Sequence, residues 1–154
     1  MQRVWRLCKR KHAASAFDGE GARLSGGRWN PPGVPVVYTS ETISLAALEA
    51  LVHMDREDAP LDLVVIPVDI PDKVDIAEVT VRMLPADWRS TPAPTRLQQL
   101  GANWVRTGKT AVLSVPSVLV PRERNYVFNP EHPDFASVKR GKPEPFVLDP
   151  RLHE

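Results

Sequence analysis

Sixteen prolines punctuate the chain, from Pro31-Pro32 through Pro35, Pro60, Pro67, Pro71, Pro85, Pro92, Pro94, Pro116, Pro121, Pro130, Pro133, Pro143 and Pro145 to Pro150. Each removes a backbone donor and fixes φ, so long helices and long uninterrupted ladders are excluded over most of the sequence. Short strands joined by rigid turns, with few helices, are what the spacing permits. The composition is otherwise that of an ordinary globular chain: 154 residues, 42% hydrophobic and 25% charged. That length predicts one domain, Met1 to Glu154, able to bury a real core without metal or disulfide staples.

Within those limits the strands and helices can be placed. Val34 to Thr39 follows the turn chemistry of Asn30-Pro-Pro-Gly33 and puts Val34, Val36 and Tyr38 on one face, which predicts a strand. The clearest helix comes next. Ser40 or Thr42 is expected to cap it, Glu41 favours its positive end, and Ile43, Ala46, Ala47, Ala50, Leu51 and Met54 recur at helical spacing. Leu45, Leu48 and Val52 fill much of the other side, so this helix is expected to be buried, with Glu49 the exception in its middle. Leu61 to Ile70 reads as a core strand in which Pro67 marks a bulge or an edge. Arg96 to Val105 is a candidate short helix, Ala111 to Val120 and Asn125 to Phe128 are candidate strands, and the tail from Arg140 to Glu154 looks partly extended. The fold class that follows is α+β, a strand-rich core with one buried helix carrying Glu49.

Several functional classes fall away on composition. Cys8 is the only cysteine, so an intramolecular disulfide is impossible and a reducing, cytoplasmic setting fits best. No apolar h-region follows the basic start and no run reaches the roughly 18 apolar residues of a membrane span, so neither a secretory signal nor a membrane protein is expected. Gly108-Lys109-Thr110 resembles the end of a phosphate-binding loop, but Asn103 stands where that pattern needs its first glycine. His12, His53, His132, His153 and Cys8 have no metal-ligand spacing, so no metal site is expected. Between Met1 and Arg28 seven basic residues face only Asp18 and Glu20, a front end that favours an anionic ligand or partner. A sequence pI near 7.9 nevertheless argues against direct nucleic-acid binding.

The block from Gly19 to His53 holds the best candidates for chemistry. Gly26-Gly27-Arg28-Trp29-Asn30 sets a fixed cation beside backbone that can approach a ligand closely, which suits phosphate or ribose contacts. Tyr38 could stack on a planar ring or fill the core. Glu49, flanked by Ala46, Ala47, Leu48, Ala50, Leu51 and Val52, would be costly to bury unpaired, and such carboxylates often belong to functional sites. Downstream, Ser114, Ser117, Asn125, Asn129 and His132 offer uncharged hydrogen-bonding groups near strand ends, suited equally to turn capping and to ligand contact.

GGRWN, followed by VVYTSETISLAALEALVH and later VPSVLVPRERNYVFNPEHPDF, resembles the RES-domain family of bacterial toxins. The family takes its name from an Arg, a Glu and a Ser, which match Arg28, Glu49 and Ser117. The resemblance runs from about Gly19 to Phe135, the motif-bearing core of a single RES domain. It implies a fold similar to ADP-ribosyltransferases of the diphtheria-toxin kind, with NAD⁺ as a consumed substrate and no prosthetic group. It also implies a hetero-oligomer with an Xre-type antitoxin that carries a helix-turn-helix domain. ADP-ribose would pass to a host protein, such as a nucleotide-biosynthesis enzyme, or to water or phosphate, arresting growth.

The residues suit that chemistry. Breaking the nicotinamide–ribose bond develops an oxocarbenium-like centre, and nicotinamide leaves as a neutral group, so one carboxylate near the ribose suffices. The resemblance implies Glu49, Arg28 and Tyr38 as catalytic residues, with Arg28 on the ribose–phosphate portion and Tyr38 against the nicotinamide ring. Ser117 and Asn125 are expected to fix the nicotinamide or its ribose. The alternative is a RES-fold binding module without catalysis that only sequesters a partner.

Overall fold

The computed structural model describes residues 1–54 and 62–153. An eight-stranded sheet runs through them, in the order β4-β5-β6-β2-β1-β3-β7, with β8 also pairing with β3. Its strands are β1 (Gln2–Lys9), β2 (Val37–Ser40), β3 (Leu63–Ile70), β4 (Ile76–Glu78), β5 (Val112–Pro116), β6 (Arg124–Phe128), β7 (Lys139–Arg140) and β8 (Glu144–Phe146). Three α-helices accompany them, α1 (Glu20–Ser25), α2 (Ile43–Leu51) and α3 (Thr95–Thr107). This is the α+β class expected from the proline spacing. Pairing is antiparallel throughout except between β4 and β5.

The basic front end is itself a strand. β1 pairs with β3 from Gln2↔Ile70 to Lys9↔Leu63, with Val4 fully buried. Its arginines are taken up by the fold: Arg3 forks onto Asp69 at 2.8 and 2.9 Å, and Arg10 reaches Asp62 at 3.0 Å. Arg6 Nε donates to Ala16 O at 3.1 Å and its Nη1 to Tyr38 O at 3.2 Å. The expectation that this segment seeks an anionic partner is thus corrected for Arg3, Arg6 and Arg10. Arg6 also compensates for a gap in the sheet, because β1 and β2 share only the register pair Trp5↔Ser40. The sheet is therefore two halves, β4-β5-β6-β2 and β1-β3-β7/β8, joined at Ser40.

Strand alternation sorts the core into two clusters. Val37, Val112 and Phe128 join Val4, Phe17, Val64, Ile66 and Val68 in one. Val36, Leu113, Val115 and Val127 join Trp29, Trp88, Leu97 and Trp104 in the other, with Val34 and Tyr38 packed against it. The single face predicted for Val34, Val36 and Tyr38 is thus present, although the strand begins only at Val37, after Pro35. Pro67 causes neither bulge nor sheet edge. It lies in unbroken register with Trp5, at the gap between β8 and β7, where it has no N–H to give and Gly141 N–H donates to its carbonyl at 2.8 Å. Leu61, the expected start of this strand, lies outside the described residues.

α2 is capped by Thr42, whose side chain accepts from Leu45 N–H at 3.0 Å. Its expected burial on all sides needs correction. Only Leu45 and Ala46 are buried, and Leu48 and Val52 are 43% and 58% exposed, because the helix rests on β1 and β2 by one side. α3 presents Leu97, Gly101 and Trp104 inward and ends at Gly108, whose left-handed conformation and bond to Trp104 O form a C-terminal cap. The apparent phosphate-loop remnant at Gly108-Lys109-Thr110 is therefore a helix terminus, with Thr110 accepting from Trp104 Nε1 at 2.8 Å.

At Gly101 the helix backbone meets the Trp29 carbonyl so closely that a Cβ would stand 1.6 Å from that oxygen. Gly101→Ala is expected to lower unfolding free energy by about 1–3 kcal/mol or more in urea titrations, since backbone must move to admit the methyl. Gly21→Ala in α1, with nothing within 4 Å of its Cβ, is expected to leave stability unchanged or to raise it by up to about 1 kcal/mol.

Candidate active site

The loop Gly26 to Asn30 closes on itself through Gly27 N–H, which donates to Asn30 O at 2.9 Å. Asn30 is fully buried. Its Nδ2 donates to Ala22 O, Val34 O and Pro31 O at 2.9, 3.0 and 3.3 Å, and its Oδ1 accepts from the Tyr38 hydroxyl at 2.6 Å. The same hydroxyl accepts from Trp29 N–H at 3.1 Å. Tyr38 is thereby tied by its polar end to the loop that carries Arg28. Gly27 permits the contact: a Cβ there would sit 2.7 Å from the Tyr38 oxygen. Gln98 on α3 completes the brace with a bond to Gly27 O at 3.0 Å.

Arg28 is half-buried and held by carbonyls. Its Nη1 donates to Trp88 O and Ser90 O, both at 2.9 Å. Burial lowers its pKa, opposed by the negative charge of Glu49 and by Tyr38, so these side chains share one electrostatic environment. The guanidinium stays charged at neutral pH. Among the described residues Nε and Nη2 make no protein bond, and no buried side-chain nitrogen or oxygen lacks a partner, so both face solvent.

Glu49 projects from α2 toward the loop after β5 and toward β6. Its Oε1 accepts from Ser117 Oγ and from Asn125 Nδ2, each at 2.8 Å. Ser117 is fully buried, and its oxygen also accepts from the N–H groups of Leu119 and Val120 at 3.1 and 3.2 Å. Asn125 Oδ1 in turn accepts from Ser40 Oγ at 2.8 Å. Oε2 has no protein partner among the described residues and, like the free nitrogens of Arg28, is open to solvent.

The fold therefore gathers Arg28, Tyr38, Glu49, Ser117 and Asn125 from five segments. Within it the polar ends of Ser117 and Asn125 are engaged on Glu49 and its supports. Sequence reasoning assigned no site role to Asn30 or Ser40. The one signal for Asn30 was its place inside GGRWN, and Ser40 read as a possible helix cap. No group of three His, Cys, Asp or Glu among the described residues is arranged to hold a metal ion. No described helix is long and apolar enough to cross a membrane.

The RES-domain family model matches residues 3–149. A Sphingobium protein named the Prs ADP-ribosylating toxin is 39% identical, over 96% of this chain and 94% of its own. Toxin Res of Photorhabdus laumondii is 36% identical over 97% and 96% of the two chains. The crystal structure of the M. tuberculosis MbcT–MbcA toxin–antitoxin complex contains a chain of the same fold, with TM-score 0.78 and 18% identity, covering 99% of this chain and 86% of that one.

The buried hydroxyl of Tyr38 makes the site sensitive to alkali. Burial raises its pKa, against the opposing Trp29 N–H and Arg28. An unfolded tyrosine titrates near about 10, so above that pH the unfolded chain releases a proton that the folded chain keeps. This contribution to stability is present below about pH 10 and falls as pH rises beyond it. Tyr38→Phe is expected to be less stable at neutral pH by about 1–3 kcal/mol, because Asn30 Oδ1 loses its donor, yet to lose less than wild type on going to about pH 11. Urea midpoints across that range check both.

Proposed function

The chain belongs to the RES-domain family, and from that premise we propose that it is a toxin-antitoxin toxin that breaks the nicotinamide–ribose bond of NAD⁺. The observation that carries this reading is the division of labour in one carboxylate. Glu49 Oε1 is held by two donors, and Oε2 is free within the electrostatic reach of Arg28, a cation that is itself held by carbonyls. Such a carboxylate needs no rearrangement to meet positive charge as it develops, which is where electrostatic catalysis is most effective.

In the proposed reaction NAD⁺ lies with its nicotinamide against the ring of Tyr38, whose hydroxyl is already engaged by Asn30 and Trp29 and so offers its ring face. Arg28 Nε and Nη2 take the ribose–phosphate portion through charge-assisted bonds. The bond between C1′ and the pyridinium nitrogen breaks, its electron pair leaves with nicotinamide, and the cationic centre at C1′ faces Glu49 Oε2, which also accepts from a ribose hydroxyl. A nucleophile then attacks C1′ and gives up its proton. Ser117 and Asn125 act through Glu49, and no prosthetic group enters.

The Sphingobium relative, named as an ADP-ribosylating toxin, supports transfer to a host protein, and water or phosphate would complete the same step without one. The toxin–antitoxin pairing in the M. tuberculosis complex supports an antitoxin partner here, with the Xre type implied by the family pattern. The reaction would take place in the cytoplasm, where NAD⁺ and a reduced Cys8 coexist.

Glu49→Gln keeps an oxygen for Ser117 and Asn125 and removes the charge. It is expected to melt near wild type and to release nicotinamide on the order of 10²–10³-fold more slowly. Nicotinamide release from NAD⁺ by antitoxin-free protein, with labelled ADP-ribose followed into soluble and protein fractions, is the test. A wild-type protein that releases none would leave the sequestering module standing, and an unimpaired Glu49→Gln would remove Glu49 from the mechanism.

A further inference from the structure

Two arms hold Glu49 Oε1, and they are fixed in different ways. Backbone secures the Ser117 arm: two N–H groups fill the acceptor positions of its hydroxyl, so its single proton is left for Glu49. The Asn125 arm has no such backbone support. An amide is nearly symmetric in shape, and turning it over would set Oδ1 against Glu49 Oε1 at the same 2.8 Å, acceptor facing acceptor. Glu49, an acceptor only, itself selects the amide end that faces it, and Ser40 holds the other end through Oγ at 2.8 Å from Asn125 Oδ1.

Ser40 is placed to do this with little freedom. It is 4% exposed, ends β2, and is the register partner both of Trp5 on β1 and of Asn125 on β6. Its backbone is thus fixed from both sides at the junction of the two sheet halves. The Thr42 hydroxyl caps α2, so the Ser40 hydroxyl is not needed there.

We infer that Ser40 is a positioning residue for the reaction: by donating to Asn125 Oδ1 it holds the amide in place with Nδ2 directed at Glu49. The inference rests on the reading of Glu49 as the carboxylate that acts on NAD⁺. Because Ser40 touches neither the open Oε2 nor Arg28, its loss should weaken turnover rather than substrate binding.

The test uses Ser40→Ala, Ser40→Thr and Asn125→Ala, singly and with Ser40→Ala combined with Asn125→Ala. The readouts are nicotinamide release and the side-chain amide resonances of Asn125, identified by their absence in Asn125→Ala. Ser40→Ala should lower kcat about tenfold with KM within about twofold, as expected for one lost oriented hydrogen bond. Its melting point should fall by only about 2–4 °C. Ser40→Thr should restore kcat, and the double variant should be no slower than Asn125→Ala alone. A kcat unchanged in Ser40→Ala, a loss that adds to that of Asn125→Ala, or no recovery in Ser40→Thr would overturn the inference. If wild type released no nicotinamide, the reading of Glu49 would fail, yet the resonances would still decide whether Ser40 holds the amide. They should shift in Ser40→Ala and return in Ser40→Thr, and unmoved resonances would overturn it.

Discussion

One carboxylate oxygen, Glu49 Oε1, is where four segments of this chain meet. α2 delivers it, the turn after β5 brings the Ser117 hydroxyl, β6 brings the Asn125 amide, and the end of β2 holds the far end of that amide through Ser40. Each connection is a neutral donor into an acceptor, the least ambiguous arrangement for a carboxylate that has to keep one oxygen available. Held this way, the partly buried side chain of a residue on a nine-residue helix has one oxygen fixed by two hydrogen bonds.

A second set of neutral bonds does the same for the cation. Asn30 shares its two amide protons among three carbonyls and accepts from the Tyr38 hydroxyl, so the loop bearing Arg28 and the strand bearing Tyr38 are tied together. Arg28 is then steadied by the Trp88 and Ser90 carbonyls, with no carboxylate in contact. The contrast with the N-terminal strand is informative. Arg3 and Arg10 meet aspartates, and Arg6 fills carbonyls where β1 and β2 part. Those arginines hold the sheet together, whereas Arg28 keeps two donors, Nε and Nη2, open to solvent among the described residues. Anchoring a guanidinium by carbonyls costs less of its charge than pairing it with Asp or Glu, so it remains a strong anion ligand.

Much of this was legible in the sequence, because proline spacing limits element length and alternation sorts faces. Val36 and Tyr38 on one side of β2, the Thr42 cap, the α3 segment and the β5–β6 pair all follow from local chemistry. The basic N-terminus misled for a physical reason: charge density says nothing of whether Asp62 and Asp69, some sixty residues away, will come to meet it. α2 misled because an apolar stripe on its outer side, Leu48 and Val52, looks in sequence the same as one facing the core. At the site, residue identities pointed to Arg28, Tyr38 and Glu49, but the supporting layer did not show. Ser40 and Asn30 act through contacts set by strand register and by a turn closing on itself, and neither leaves a periodic trace.

The central claim is that the free oxygen of Glu49 and the free nitrogens of Arg28 face one nucleotide. A crystal structure of Glu49→Gln with NAD⁺ tests it most directly, since that variant should keep the site while slowing cleavage. The account predicts intact NAD⁺ with nicotinamide on the Tyr38 ring, a ribose hydroxyl within hydrogen-bonding distance of the residue 49 side chain, and Arg28 on the ribose–phosphate portion. NAD⁺ bound elsewhere on the surface, or in this cleft with its nicotinamide ribose turned away from residue 49, would contradict it.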